Sequence, residues 1–122
     1  MITYKVKVDA EGNKEWYLND KLHREDGPAI EYANGTKKWF LNGELHRHDG
    51  PAFEDTNGTK MWYLNGLPHR EDGPAVQCSN GYEEWHLNGT ELTKQEFNER
   101  IRLLKQSPDT LTIDGVIYVR KD

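Results

Sequence analysis

A cluster of the form His-Arg-x-Asp occurs three times in the sequence, and its residue types are those that could do chemistry. The copies consist of His23, Arg24, Asp26, His46, Arg47, Asp49, His69, Arg70 and Asp72. A histidine with a carboxylate nearby can act as a general base, which makes catalysis one interpretation. Three equal copies along the chain fit a structural element better, since each Asp precedes Gly-Pro and suits a turn. We therefore expect a structural cluster, with contacts to a repeated ligand as the alternative.

Metal-ligating and nucleophilic residues form no recognised pattern elsewhere in the sequence. His46 and His48 are the only closely spaced histidines, and no spacing of His and carboxylate residues follows a zinc or calcium site. Cys78 is the single cysteine, so an internal disulfide is excluded, and the residue is interpreted as an ordinary thiol. We expect no metal, no cofactor and no enzymatic activity.

The His-Arg-x-Asp clusters belong to a repeat of 23 residues that dominates the sequence. Its most visible markers are the four tryptophans, Trp16, Trp39, Trp62 and Trp85. Eleven of the 23 positions are identical in all three full copies, and the copies align without gaps. Such a unit is too small to bury its own apolar face, so neighbouring copies must stack and share one core.

Each copy predicts two short strands joined by an Asn-Gly turn, the strongest two-residue hairpin signal. A two-residue loop at Asn34-Gly35 places Ile30 opposite Trp39, and by repetition Phe53 opposite Trp62 and Val76 opposite Trp85. The face that carries Trp and Leu is then the expected core. The opposite face pairs Ala29 with Phe40 and Glu31 with Lys38. This half-exposed face is the candidate binding surface, with Tyr17, Glu31, Phe40, Glu54, Tyr63 and His86.

These elements predict a mainly β fold, an elongated antiparallel sheet of stacked 23-residue hairpin repeats with a cap at each end. Residues 1–15 form an N-terminal capping strand, in which a three-residue loop would place Val6 opposite Trp16. Residues 16–89 hold three full repeats and a partial one. Residues 90–122 form a C-terminal cap with a helix after the capping box Thr93–Glu96, an end at Ser107-Pro108, and a hairpin over 111–119. Phe97, Ile101 and Leu104 form the apolar stripe of this helix.

Composition and charge narrow the classes of function. The chain is 34% hydrophobic and carries a formal charge of −5. All of the acidic excess lies in residues 1–90, and the remaining residues are neutral. Direct binding to nucleic acid is therefore disfavoured, whereas a basic partner would be attracted. Plain solubility is the alternative explanation of the charge. No apolar run is long enough for a membrane span, and no signal peptide is visible, so we expect a cytoplasmic protein.

The repeat resembles the MORN family, whose units are also 23 residues long. It is still more similar to a group of phage, bacterial and giant-virus proteins with tandem W-Y-L-N-G-x-L-H-R-E-D-G-P-A units. That motif stands here at residues 16–29, 39–52 and 62–75. The resemblance implies stacked hairpins, a closing helix and hairpin, and contacts with protein. The lipid binding of MORN proteins is a weak expectation for this chain, because Asn-Gly lies one residue further from Trp than in standard MORN units.

We therefore expect a non-enzymatic protein-interaction module whose partner presents a basic or nucleic-acid-binding surface. The resemblance suggests a phage-encoded inhibitor that binds a host defence complex, for example of the CRISPR type. Two alternatives stay open. One is an aromatic repeat protein that binds carbohydrate or cell wall, for which Trp39 and Trp62 must be exposed. The other is a small protein that sequesters nucleotides.

Overall fold

A computed structural model of the chain describes residues 3–106 and 110–119. Sixteen strands and one helix form within these residues. The first eight strands are β1 (Lys5–Val8), β2 (Lys14–Leu18), β3 (Lys21–Leu22), β4 (Ile30–Glu31), β5 (Lys37–Lys38), β6 (Phe40–Leu41), β7 (Glu44–Leu45) and β8 (Phe53–Glu54). The others are β9 (Lys60–Met61), β10 (Tyr63–Leu64), β11 (Leu67–Pro68), β12 (Val76–Gln77), β13 (Glu83–Leu87), β14 (Thr90–Leu92), β15 (Thr110–Ile113) and β16 (Val116–Val119), and α1 spans Lys94–Gln106.

One large antiparallel sheet runs through the repeats in the order β1-β2-β4-β5-β8-β9-β12-β13-β14. Each full repeat also forms a short hairpin beside this sheet: β3 pairs with β2, and β6–β7 and β10–β11 are two-stranded units. Backbone bonds connect successive hairpins, because Arg24 N donates to the Phe40 carbonyl at 3.1 Å and Gly43 N to the Leu22 carbonyl at 2.8 Å. The predicted fold class, a mainly β sheet of hairpins with a C-terminal helix and hairpin, is confirmed.

The turn at Asn34-Gly35 is longer than predicted. Tyr32 N donates to the Thr36 carbonyl and Gly35 N to the Tyr32 carbonyl, so the loop has three residues. Only the glycine of the pair has a positive φ, at 99°. A type I turn followed by a left-handed glycine is the geometry of a three-residue hairpin with a bulge.

The extra loop residue moves every predicted strand pair by one position. Ile30 pairs with Lys38 rather than Trp39, and Glu31 pairs with Lys37 rather than Lys38. The predictions for the other copies are wrong in the same way, since Phe53 pairs with Met61 and Val76 with Glu84. Side chains alternate between the two faces of a strand, so a slip of one residue exchanges the faces.

A two-residue hairpin turn lies instead at Asn42-Gly43, just before the His-Arg-x-Asp cluster of the second repeat. Asn42 has a φ of 52° and Gly43 a φ of 81°, as a type I′ turn requires. The flanking strands pair tightly, with Leu41 opposite Glu44. Asn19-Asp20, Asn65-Gly66, Asn88-Gly89 and Asp114-Gly115 have the same two positive φ values.

The core differs from the predicted ladder of Trp and Leu. The tryptophans are half-buried, whereas Ala29, Ala52 and Ala75 have no exposed surface. In each of the three full repeats the backbone N–H of the tryptophan donates to the carbonyl of an alanine, as in the 2.7 Å bond from Trp39 to Ala52. Two backbones approach closely there, and a methyl group fills the available space. The prediction that the Trp face forms the continuous core is therefore wrong.

At both ends of the sheet the structure agrees better with what the sequence predicts. Val6 pairs with Trp16, which confirms the three-residue loop at the N-terminus. At the other end Glu96 N donates to Thr93 Oγ1 at 3.1 Å, and Thr93 N donates to the Glu96 carboxylate at 2.9 Å, so the capping box is confirmed. The predicted helix end at 107–108 lies outside the described residues. The C-terminal hairpin turns at Asp114-Gly115, as predicted.

A small apolar core joins the C-terminal helix to the last repeat. Its buried members are Leu87, Leu92 and Phe97, and Trp85, Ile101 and Tyr118 pack against them. The helix is 13 residues long and largely polar, and nothing helical in the described part of the chain could cross a bilayer.

Candidate functional site

Each repeat arginine is clamped between its tryptophan and the following turn. The guanidinium carbons of Arg24, Arg47 and Arg70 lie 4.0, 3.9 and 3.7 Å from the ring centroids of the tryptophans in their own repeats. A guanidinium in this position is attracted by the negative face of the indole. The glycine of each Asp-Gly-Pro turn permits the stacking, because a Cβ at Gly50 would lie 2.9 Å from the Arg47 guanidinium carbon.

The hydrogen bonds of the arginines are directed at their own repeats. Arg47 Nε donates to Asp49 at 3.2 Å, and its terminal nitrogen donates to the Pro51 carbonyl at 3.0 Å. Arg24 and Arg70 make the equivalent bonds. A further carboxylate lies 3.2 Å from Arg24 at Glu31 and 3.8 Å from Arg47 at Glu54. The positive charges are therefore compensated within the repeats.

The repeat histidines hold adjacent repeats together. Nδ1 of His23 accepts a hydrogen bond from Asn42 N at 2.9 Å, and Nδ1 of His46 accepts one from Asn65 N at 2.9 Å. The third copy repeats the contact, from Asn88 N to His69 Nδ1 at 2.8 Å. Nδ1 is the acceptor, so the neutral ring carries its proton on Nε2. Each His thereby fixes the Asn-Gly turn of the following repeat.

Two tyrosines from the ends of the chain stack on the outer histidines. Tyr4 lies on His23 with a ring-centroid distance of 6.2 Å, and Tyr118 lies on His69 at 5.9 Å. Burial raises the pKa of Tyr118 to about 12, and the negative charge of Glu71 adds to this effect. A hydrogen bond from His69 lowers the pKa of Glu71.

The middle repeat departs from this arrangement. His48 replaces the glutamate of the other copies and meets the His46 ring edge-on, with the centroids 4.7 Å apart. The pKa of His46 is lowered by burial and by the neighbouring His48.

The aspartates of the clusters form an exposed acidic rim, which we define as Asp26, Asp49 and Asp72. Their side chains are 88%, 88% and 85% exposed, whereas those of the arginines are 19–25% exposed. Two equivalent clefts alternate with the rim residues. The first cleft has a volume of about 600 Å³ and lies between Asp26 and Asp49, with Trp39 in its wall. The second has a volume of about 640 Å³ and lies between Asp49 and Asp72, with Trp62 in its wall.

No protein-family model, curated protein or solved structure matches the chain.

The nine residues of the His-Arg-x-Asp clusters are brought together along one edge, as three equivalent copies. The six residues of the predicted binding face are not brought together on one surface. Glu31 of β4 pairs with Lys14 of β2, and Lys14 and Tyr17 point to opposite faces of β2 because they are three residues apart. Glu31 and Tyr17 therefore lie on opposite faces of the sheet. Glu31 and Glu54 contact the repeat arginines, as described above. Phe40 and Tyr63 are half-buried in the short hairpins, and His86 is 8% exposed.

One group of residues escaped the sequence reasoning. Glu84, His86 and Glu91 place three possible metal-ligand atoms within 4.8 Å of one another. Sequence spacing concealed the group, because Glu91 reaches it from the next strand, opposite His86. The repeat itself carried a usable signal, since the residues 23 positions earlier are Met61, Tyr63 and Pro68.

Proposed function

We propose that this protein is a non-enzymatic interaction module that binds a basic surface of a macromolecular partner along its acidic rim. The supporting observation is the row of exposed carboxylates, one in each full repeat, that alternates with two equivalent clefts. The arginines beside them are half-buried and compensated by internal partners, so the charge presented outward is negative. Repeated negative charge along one edge attracts a partner whose positive charges are similarly distributed.

The clefts supply contacts that charge alone does not. Trp39 and Trp62 line their walls, and each cleft is flanked by two aspartates of the rim. An arginine or lysine of the partner can place its aliphatic stem against the cleft wall and its charge near the rim carboxylates. Repetition of this arrangement in adjacent repeats would raise the overall affinity without any single strong contact.

The resemblance to phage-borne repeat proteins suggests the class of partner. Complexes that recognise nucleic acid present basic surfaces, and a small acidic protein can occupy such a surface in place of phosphate. We therefore propose a phage-encoded inhibitor of a host defence complex, acting in the host cytoplasm.

The proposal is tested by affinity capture from bacterial lysates followed by binding measurements with the purified partner. The key variant is the triple substitution Asp26→Asn, Asp49→Asn and Asp72→Asn. Each Asn removes one charge but keeps an oxygen that can accept the bond from Arg Nε, so folding should be retained. We expect association to slow by about tenfold at low salt and the difference to shrink as salt screens the charges.

The matched control changes the net charge equally at exposed carboxylates outside the clusters, by Glu11→Gln, Asp20→Asn and Glu44→Gln. Association of the control should change less than about twofold, because long-range attraction depends on where the charge lies. Equal loss in both triple variants would show that only net charge matters. Unchanged binding of the rim variant would exclude the rim as the docking surface.

A further inference from the structure

We propose that Glu84, His86 and Glu91 form a binding site for one divalent transition metal ion, of which Zn²⁺ is the best match. The ligand atoms that they offer lie within 4.8 Å of one another. Zn²⁺ is bound by imidazole nitrogen and carboxylate oxygen, and three protein ligands leave its fourth position open to water. Mg²⁺ and Ca²⁺ prefer oxygen ligands alone, so the histidine favours a transition metal.

The site is built on two paired strands rather than on loops. Glu84 and His86 are two residues apart in β13 and therefore point to the same face. Glu91 of β14 lies directly opposite His86 in the antiparallel register. Directly opposed residues have Cβ atoms about 5 Å apart, so their side chains can share one ion. Regular strand pairing thus fixes the positions of all three ligands before any ion binds.

Neighbouring groups orient the first carboxylate. One oxygen of Glu84 lies 2.9 Å from His86 Nε2, and the other accepts a hydrogen bond from the Tyr82 hydroxyl. Hydroxyl groups that hold a ligand in place in this way commonly raise metal affinity.

The ring of His86 is largely buried, and its two nitrogens have different surroundings. His86 is 8% exposed, and within the described residues its Nδ1 is buried without a hydrogen-bond partner. Burial of an unpaired polar atom is unfavourable, whereas the equivalent residues Phe40 and Tyr63 carry no such atom in their rings. The other ring nitrogen, Nε2, lies 2.9 Å from Glu84 and is the one available to an ion in this group.

Two further features favour a cation. The residues 23 positions before Glu84, His86 and Glu91 are Met61, Tyr63 and Pro68, so this combination of a histidine with two carboxylates is not repeated in the preceding copies. Glu84 and Glu91 also line a hollow of about 380 Å³ that contains two more carboxylates, from Glu83 and Glu96, and one basic residue, Lys94. The resulting negative potential raises the local concentration of cations.

The test is isothermal titration of the full chain with ZnCl₂ at about pH 7, with thermal unfolding measured in parallel. We expect one bound ion per chain and an increase in the melting temperature on binding. His86→Tyr restores the residue of the preceding repeat and should retain the fold while weakening Zn²⁺ binding by at least about tenfold. Glu91→Gln should weaken binding similarly, and it keeps the test valid if His86→Tyr does not fold.

Two control variants separate this site from others. Glu11→Gln removes an exposed carboxylate of the N-terminal turn, outside the hollow. His48→Glu removes the closely spaced pair of histidines by restoring the residue of the outer repeats. Both should bind Zn²⁺ within about twofold of the unchanged chain. The proposal is overturned if His86→Tyr and Glu91→Gln both bind normally, if His48→Glu abolishes binding, or if Mg²⁺ and Ca²⁺ bind as tightly as Zn²⁺. Failure here would leave the proposed rim interaction untouched, because the two sites share no residue.

Discussion

Substitution of Arg47 should reveal how much each arginine clamp stabilises the repeat sheet. Arg47→Met keeps an unbranched aliphatic stem but removes the guanidinium. Arg47→Lys keeps a positive charge but loses the planar group that covers Trp39 and bonds the turn. The middle clamp is the informative one, because both of its neighbours are full repeats.

The expected cost follows from three contacts. Loss of the guanidinium over Trp39, at a partly exposed site, lowers the free energy of unfolding by about 0.5–1 kcal/mol. Loss of the hydrogen bond to the buried Pro51 carbonyl lowers the free energy of unfolding by about 1.5 kcal/mol, the lower end of the range for hydrogen bonds from a charged donor. The pair with Asp49 adds little, because that side chain is 88% exposed. Arg47→Met should therefore lower the free energy of unfolding by about 2 kcal/mol, and Arg47→Lys by about half as much.

Urea unfolding followed by tryptophan fluorescence measures this difference, and thermal unfolding should show a decrease of roughly 8 °C for Arg47→Met. Lys5→Met is the matched control, since it removes an exposed cation from β1 and should change stability by less than about 0.5 kcal/mol. If Arg47→Met is as stable as Lys5→Met, the stacked guanidinium does not stabilise the fold. If Arg47→Lys is as unstable as Arg47→Met, the retained charge contributes nothing.

Two further predictions concern the C-terminal cap and the three-residue turns. The folded-state pKa of Tyr118 is about 12, above its ordinary value of 10, so its contribution to stability is complete below pH 10 and is lost as the pH rises toward 12. Tyr118→Phe, which retains the ring on His69, should flatten the fall of unfolding free energy between pH 10 and 12; an unaltered slope would contradict this. Gly81 has a φ of 92° with open space around its missing Cβ, so Gly81→Ala should cost about 1 kcal/mol from backbone strain alone. Gly35→Ala should cost more, because a Cβ there would lie 3.1 Å from a methyl group of Thr56; equal costs in urea unfolding would exclude a steric contribution.

The sequence was sufficient for the architecture because its strongest signals are local and repeated. The 23-residue period, the capping box at Thr93 and the Asp114-Gly115 hairpin each specify an element without knowledge of its neighbours. The N-terminal register was also predictable, because the turn around Gly12 has no Asn-Gly pair that would suggest a shorter loop. That turn has the same geometry as the turns in the repeats, with a single positive φ at its glycine.

The register within the repeats was not predictable from pattern alone. The second and third repeats each contain Asn-Gly twice, at Asn42-Gly43 and Asn57-Gly58 in the second copy, and only one of the two pairs forms the type I′ turn. The choice depends on tertiary contacts, because Asn42 N donates to His23 of the preceding repeat. An apolar pairing such as Ile30 with Trp39 satisfied the sequence pattern equally well. The assignment of faces, and with it the predicted binding surface, depended on that register.

The candidate sites differ in how they relate to the repeat. Trp, His, Arg and Gly are identical in all three copies and are used to clamp and stack the repeats. The aspartates that follow share this identity but point outward, so they form an array, which suits a partner with an extended and periodic surface. A site that binds one ion needs the opposite, a place where the sequence departs from the repeat without disturbing the clamp. Glu84, His86 and Glu91 meet that requirement, because they lie where the third copy meets the partial repeat, at positions that carry no clamp residue. Periodic positions therefore favour a repeated interaction, and departures from the period favour a single site.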